Sequence, residues 1–154
     1  MKKLLLLLCA LALLTLAACG GSASQADFEP SELAGALYDS GCFTDLMSEM
    51  EEATALELYG IDPESVESCK VYLGTGATAE EIAVLRCSDK DAASAAAEAF
   101  GKRVESQIKA YENYVPSELT KLDKAIVRSS GSYAVYVTAA DADGAGKIID
   151  EYMK

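Results

Sequence analysis

The sequence predicts an α+β domain in which helices pack on an antiparallel sheet of about four strands. Two observations favour this fold class. Strand-like apolar segments occur in two pairs, each joined by a short turn of small and polar residues, and an amphipathic helical pattern follows each pair. The chain is therefore predicted to contain two ββα units, preceded by one or two N-terminal helices.

The first N-terminal helix is predicted to begin at Pro30. Proline suits the first turn of a helix, and the acidic side chain of Glu32 favours the positive end of the helix dipole. Gly41 supplies the residue type that ends many helices. The residues predicted to form its buried face are Leu33, Ala34 and Leu37.

The next segment allows two interpretations. Its apolar residues have the i, i+3, i+4, i+7 spacing of a second amphipathic helix, at Phe43, Leu46, Met47 and Met50. The alternative is a short strand over residues 46–50 followed by a helix over 53–59. Gly60 and Pro63 end the segment in either case.

The first ββα unit is predicted to follow this segment. Its strands cover residues 66–73 and 81–87, and its helix covers 90–114. Asp89 provides an N-cap, and Pro116 prevents continuation of the helix. The helix residues predicted to face the sheet are Ala93, Ala96, Ala97, Phe100, Val104, Ile108 and Tyr111.

The second ββα unit repeats this order. Its strands are predicted over residues 125–128 and 133–138, and its helix over 141–153. Aligning Asp89 with Asp141 gives a weak internal repeat, which the shared pattern of two amphipathic helices largely explains. The inward residues of the final helix are predicted to be Ala145, Ile148, Ile149 and Tyr152.

The beginning of the chain has the pattern of a secretory signal peptide. Two lysines precede an apolar run over residues 4–18, which is shorter than the roughly 20 residues of a membrane-spanning helix. The run ends in the sequence LAAC at residues 16–19, which resembles the bacterial lipobox. In that family the cysteine receives a diacylglyceryl group on sulfur and becomes the N-terminus after cleavage. We therefore expect a signal peptide over 1–18 and lipidation at Cys19.

Residues 19–28 are then expected to form the lipidated cysteine and a flexible tether, and residues 29–154 a single domain. The Gly/Ser/Ala-rich segment 20–27 would span roughly 16 Å. This arrangement predicts a lipid-anchored protein at the extracytoplasmic face of a cell membrane. Loss of the two signal-peptide lysines changes the net charge from −12 to −14. Because this acidity repels anionic headgroups, the domain is expected to stand off the surface.

The composition argues against several classes of function. The chain has no His, so it has no His general base, no His-activated nucleophile and no imidazole metal ligand. Its negative charge repels phosphate backbones and so argues against nucleic-acid binding. Residues 74–79 (GTGATA) match a dinucleotide-binding pattern, but Glu80 and Glu81 would oppose a phosphate there. A hairpin turn is the preferred interpretation, and no cofactor is predicted.

Three cysteines remain in the predicted domain, Cys42, Cys69 and Cys87, and they allow at most one internal disulfide. If the first hairpin is centred near Thr78, Cys69 and Cys87 face each other across the two strands, at a spacing that a disulfide accepts. The sequence therefore suggests a Cys69–Cys87 disulfide. The alternative is that these residues are buried as small hydrophobic side chains.

Other polar and aromatic clusters receive structural interpretations. Asp141 and Asp143 suggest a calcium loop, but the EF-hand spacing fails after them, so helix capping is preferred. The acidic run over residues 49–57 predicts a solvated face. Four tyrosines could form an aromatic patch, but core or boundary packing explains them better. They are Tyr111, Tyr114, Tyr133 and Tyr136.

Four segments resemble a family of small bacterial lipoproteins known only as a domain of unknown function. They are Tyr59 to Asp62, Tyr72 to Val84, Arg103 to Pro116, and Gly131 to Tyr133. The resemblance extends over residues 43–152, and such proteins are common in Gram-positive gut anaerobes. It implies a lipobox and an envelope location, and it implies no activity and no site residues.

The leading hypothesis is a membrane-tethered, non-enzymatic domain that binds an envelope protein or a small ligand. It depends on the predicted anchor, the single domain and the lack of a recognisable catalytic set. One alternative is a small envelope enzyme that uses carboxylate or thiol chemistry. Another is a structural component of the envelope.

Overall fold

The computed structural model describes residues 27–154 and confirms the α+β class. The predicted signal peptide and Cys19 lie outside the described residues. The elements are, in order, α1 (Pro30–Tyr38), β1 (Ser48–Met50), α2 (Glu52–Tyr59), β2 (Val66–Leu73), β3 (Glu81–Cys87), α3 (Lys90–Tyr111), α4 (Leu119–Leu122), β4 (Ile126–Ser130), β5 (Tyr133–Thr138) and α5 (Ala142–Tyr152). Short 3₁₀ turns at Pro63–Ser65 and Pro116–Glu118 precede β2 and α4.

The described strands form one antiparallel sheet in the order β1-β2-β3-β5-β4. The sheet has five strands rather than about four, because the short β1 pairs with β2 at one edge. The segment before Gly60 therefore follows the strand-then-helix alternative. Leu46, which the helical interpretation placed on a buried stripe, is 82% exposed.

Local hydrogen bonds explain where α2 begins and ends. The side chain of Glu51 accepts a bond from the backbone N–H of Thr54 and so acts as the N-cap. Gly60 closes the helix with a left-handed conformation (φ 67°), which glycine adopts without strain. The Glu51 cap separates the helix from β1, which ends at Met50.

Both predicted ββα units are present. The strands β2, β3 and β5 have the predicted bounds, whereas α3 ends at Tyr111 rather than at residue 114. The helices of the two units lie on opposite faces of the sheet: α3 packs on the face of Ala83 and Leu85, and α5 packs on the face of Val135 and Val137.

The central strands β3 and β5 are buried on both faces. Alternate side chains of β3 point to the two cores, with Ile82 and Val84 in one and Ala83 and Leu85 in the other. Helices α1 and α5 complete the first core, and α2 and α3 complete the second. None of the helices in residues 27–154 is both long and apolar enough to cross a bilayer.

The chain enters the fold at Phe28, which we had expected to belong to the tether. Its ring stacks on Tyr133 with centroids 4.1 Å apart and is 7% exposed. The Tyr133 hydroxyl accepts from the backbone N–H of Phe28 at 3.1 Å and donates to its carbonyl oxygen at 2.7 Å. These contacts fix the beginning of the domain at the first residue of β5.

The strand register corrects the predicted pairing of cysteines. Cys69 lies opposite Leu85, because the hairpin is centred on residue 77 rather than on Thr78. An irregularity between Val66 and Ser68 then places Cys87 opposite Val66. The prediction that Cys69 and Cys87 face each other is therefore wrong, and both cysteines are free thiols in the structure, as is Cys42. The strand register therefore gives no geometric support for the predicted disulfide.

Candidate functional site at the end of the sheet

Two consecutive glutamates at the start of β3 are almost fully buried. Glu80 is 1% exposed and Glu81 is 0% exposed, although glutamate is among the residues least often buried without a partner. Neighbouring side chains at a strand point to opposite faces. The two carboxylates therefore enter different surroundings, and each collects its own set of hydrogen-bond donors.

Glu81 is held by side chains of α2 and α3. Arg103 donates from Nη2 at 2.9 Å and from Nε at 3.2 Å to Oε2, in a forked contact. The hydroxyl of Tyr59 donates to Oε1 at 2.7 Å, and Nε2 of Gln107 donates to Oε2 at 3.3 Å. Forked arginine–carboxylate pairs combine charge with fixed geometry, so this contact ties α2, α3 and β3 together.

Glu80 is held from the other side of the sheet. It accepts from the backbone N–H and hydroxyl of Thr44 and from the backbone N–H of Asp45, at 2.7–2.9 Å. Nζ of Lys121 lies 2.8 Å from Glu80 and 3.1 Å from Glu118. A carboxylate of Glu118 in turn accepts from the backbone N–H of Ala79 at 2.9 Å. One buried network therefore joins the loop before β1, the β2–β3 loop and α4.

Asp45 organises the β2–β3 loop. Its carboxylate accepts from the backbone N–H of Thr75 and from the hydroxyl of Thr78, both at 2.8 Å. Gly74 permits this close approach, because a Cβ at that position would lie 2.6 Å from Asp45 Oδ2 and 3.1 Å from the Glu80 carbonyl oxygen. The loop that matched a nucleotide-binding pattern is thus a hairpin loop wrapped around a carboxylate, as the preferred interpretation had it.

The network forms one wall of a pocket of about 260 Å³ between this loop and α3. Tyr111 closes one end, and its hydroxyl donates to the carbonyl oxygens of Gly76 and Thr78. The pocket is lined by Leu73, Gly74, Thr75, Gly76, Thr78, Glu80, Glu81, Arg103, Gln107 and Tyr111. Its lining therefore combines polar and apolar groups, and it lies beside the buried Glu81–Arg103 pair.

The pKa shifts of the groups in the network indicate which of them are charged at neutral pH. Burial alone would raise the pKa of Glu80, but hydrogen bonds from Lys121, Thr44 and Asp45 lower it overall. Burial, followed by the charge of Glu81, raises the pKa of Tyr59 well above its usual value. Burial opposes the charge on Arg103, yet the Glu81 contact raises its pKa overall. At neutral pH Glu80 is thus ionised, Tyr59 neutral and Arg103 charged, and none of these three is poised to exchange a proton.

The thiols are equally unreactive. Burial, aided by the charges of Glu52 and Glu51, raises the pKa of Cys69 to about 12. Burial and the charge of Asp89 raise the pKa of Cys87 to about 11. Since the thiolate is the nucleophile, neither cysteine carries an appreciable reactive form at neutral pH.

The other candidate clusters have structural roles. Asp141 is the N-cap of α5 and accepts from the backbone N–H of Gly144 at 2.9 Å, as the capping interpretation predicted. The glutamates of the acidic run are exposed, and Tyr133 and Tyr136 are buried, whereas Tyr114 is 70% exposed. Across residues 27–154, no group of three or more Cys, Asp or Glu side chains has an arrangement that could hold a metal ion.

The burial of Glu80 and Glu81 and their hydrogen-bond network were not predicted from the sequence. The available signal was a pair of acidic residues directly before the apolar run Ile82–Leu85, at a position where a strand was already predicted. Their partners could not be identified in the same way, because Arg103 lies 22 residues from Glu81 and Lys121 lies 41 residues from Glu80 along the chain.

Comparison with protein families identifies a domain of unknown function. The family model of this domain, DUF4358, matches residues 39–139. The chain belongs to the DUF4358 family. The matched part of this DUF4358 domain contains all five strands and the whole glutamate network, and it begins after α1 and ends before α5. Comparisons with curated proteins and with solved structures find no significant match.

Proposed function

We propose that the protein is a lipoprotein anchored through Cys19 at the extracytoplasmic face of a cell membrane, and that its DUF4358 domain binds a ligand rather than catalysing a reaction. The apolar run that ends in LAAC at residues 16–19 supports the anchor. The resemblance to small Gram-positive envelope lipoproteins supports the same location.

The position of the pocket relative to the tether carries the binding part of the proposal. The chain enters the domain at Phe28, against Tyr133 at the beginning of β5. The pocket lies at the other end of that strand, where Thr138 pairs with Glu81. The five residue steps between Tyr133 and Thr138 span about 17 Å. A membrane-tethered domain would thus present its pocket away from the anchored end.

The state of the side chains favours binding over the enzymatic alternative. The buried carboxylate of Glu81 is paired with Arg103, and the carboxylate of Glu80 is paired with Lys121. The raised pKa values of Cys69 and Cys87 oppose thiol chemistry. These groups suit a rigid framework that orients polar atoms around a ligand.

Metabolic labelling with an alkyne fatty acid in the producing cell tests the anchor. The wild-type chain is expected to carry the label, and Cys19→Ala is expected to lose it and to remain unprocessed. Cys9→Ala is a matched control, because Cys9 lies in the same apolar run but outside the LAAC sequence, and it should keep the label. Normal labelling of Cys19→Ala would contradict the proposal.

Native mass spectrometry of the full chain, extracted from the producing cell in detergent, tests binding. We expect a bound small molecule or a co-purifying envelope protein whose mass is lost on denaturation. Turnover of cell-wall or peptide substrates that is abolished by Glu81→Gln, with the fold retained, would instead support the enzymatic alternative and contradict this proposal.

A further inference from the structure

Two of the residues that line the pocket have hydrogen-bonding atoms that the fold leaves free. Arg103 uses Nε and Nη2 for Glu81, and no hydrogen bond from its Nη1 occurs within residues 27–154. Gln107 uses Nε2 for Glu81, and its Oε1 has no hydrogen-bond partner in the same part of the chain. Every fully buried side-chain polar atom there has a partner, so these free atoms are accessible to solvent. The pocket thus offers a charged donor and a neutral acceptor.

The spacing of Arg103 and Gln107 along α3 limits the ligand. Arg103 and Gln107 lie one turn apart on the same face of α3, where Cβ atoms are about 5–6 Å apart. Both contact the same carboxylate, which fixes their orientation. A ligand that satisfies both must carry an acceptor and a donor within a few bonds of each other. An α-amino-acid unit has this arrangement, with a carboxyl or carbonyl oxygen and an amino nitrogen on one carbon.

The charges around the pocket limit the ligand further. The positive charge of Arg103 is already matched by Glu81, and the chain as a whole carries a net charge of −12. An additional anionic group would therefore be repelled, whereas a zwitterionic or cationic ligand would not be. A volume of about 260 Å³ lies just below the roughly 300–1,000 Å³ of pockets for drug-sized ligands, so one or two residues would fill it.

We infer that the pocket binds an α-amino-acid unit, with a carboxyl oxygen on Nη1 of Arg103 and the amino nitrogen on Oε1 of Gln107. The unit belongs to a free amino acid or to a short peptide without an acidic side chain. This inference rests on the proposed binding function and specifies its ligand.

Titration calorimetry on the detergent-solubilised full chain tests the inference, with L-alanine, L-alanyl-L-alanine, L-lysine and L-glutamate as probes. Alanine or dialanine is expected to bind, and the stronger of the two identifies the source of the unit. Glutamate is expected to bind at least about tenfold more weakly. Gln107→Met and Arg103→Lys should each weaken binding about tenfold, because each removes one hydrogen bond to a charged ligand group.

Lys102→Met is the matched control, because Lys102 is exposed on the same helix, and it should leave the affinity unchanged. If Arg103→Lys fails to fold, Gln107→Met alone decides. Failure of all four probes to bind, or unchanged affinity in Gln107→Met, would overturn the inference. Neither result would alter fatty-acid labelling at Cys19 or the native mass spectrum, so the proposed function is judged separately.

Discussion

At the scale of single residues, the burial of Glu80 and Glu81 is the feature that sequence patterns could not supply. Local signals did suffice elsewhere: Asp89 and Asp141 were correctly assigned as helix caps, since the bonds they accept come from residues three positions away. The glutamates depend on donors that are 22 to 41 residues distant. Such contacts are fixed only when helices and strands have been assembled.

Because the network holds Glu80 in its charged form, the free energy of unfolding is expected to decrease at acidic pH. The folded-state pKa of Glu80 lies below its ordinary value of 4.5. Its contribution is therefore complete above 4.5 and is lost as the pH falls through the lower folded-state value. We predict that Glu80→Gln lowers the free energy of unfolding by about 1.5–3 kcal/mol at neutral pH. The difference from wild type should shrink as the pH falls from 4.5 through the lower folded-state pKa, below which the wild-type side chain is also neutral.

Urea unfolding at several pH values measures this dependence. Glu98→Gln serves as the control, since Glu98 is exposed on α3, and it should change stability little at any pH. A difference between wild type and Glu80→Gln that stays constant from neutral to acidic pH would show that the charge of Glu80 is not stabilised by its donors.

The free thiols give a second prediction at this scale. Because the register separates Cys69 from Cys87, we expect three reactive thiols, from Cys42, Cys69 and Cys87, when a chain without residues 1–26 is denatured without reductant. In the native protein the same thiols should react slowly with a maleimide at neutral pH, since Cys42 is buried and the other two have raised pKa values. A count of one thiol in the denatured chain would contradict this prediction and support one internal disulfide.

At the scale of elements, the quality of prediction followed the length of the apolar pattern. The strands β2, β3 and β5 were predicted at their observed bounds, because each has a long β-type run between turn residues. β1 has only three residues, and an accidental helical spacing from Phe43 to Met50 competed with it. The shifted register near Val66 was likewise invisible, because a bulge leaves little trace in a single sequence.

Two glycines allow a matched test of the β2–β3 loop. Gly74→Ala would place a Cβ 2.6 Å from Asp45, so we predict a loss of about 1–3 kcal/mol from crowding. Gly101 lies within α3, and a Cβ added at this position would have no neighbouring atom within 4 Å. Gly101→Ala should therefore raise stability by about 0.4–1 kcal/mol through the higher helix propensity of alanine.

Chemical denaturation of both variants compares the two effects directly. Equal effects of the two substitutions would mean that the loop does not close around Asp45 as described, whereas opposite signs would support the close approach seen at Gly74.

At the scale of the whole molecule, the sheet places the beginning of the domain and the pocket at opposite ends. Phe28 and Tyr133 hold the beginning of the domain at one end, and the β2–β3 loop with its pocket lies at the other. The sequence alone predicted an anchor and a domain, but the distance between Phe28 and the pocket could be obtained only from the strand order. If residues 1–26 supply a lipid anchor, the loop is the part of the domain best placed to meet ligands.

The central claim is that the β2–β3 loop is exposed at the extracytoplasmic face of a cell membrane while the chain remains attached to that membrane. A cysteine placed at the exposed loop residue Ala77 tests it directly, through labelling with a membrane-impermeant maleimide in cells whose cytoplasmic membrane is intact. The account predicts that Ala77→Cys is labelled before lysis, well above the parent chain with its buried or partly buried thiols, and that the labelled protein sediments with membranes. Labelling only after lysis, or a labelled protein that remains in the soluble fraction, would contradict it.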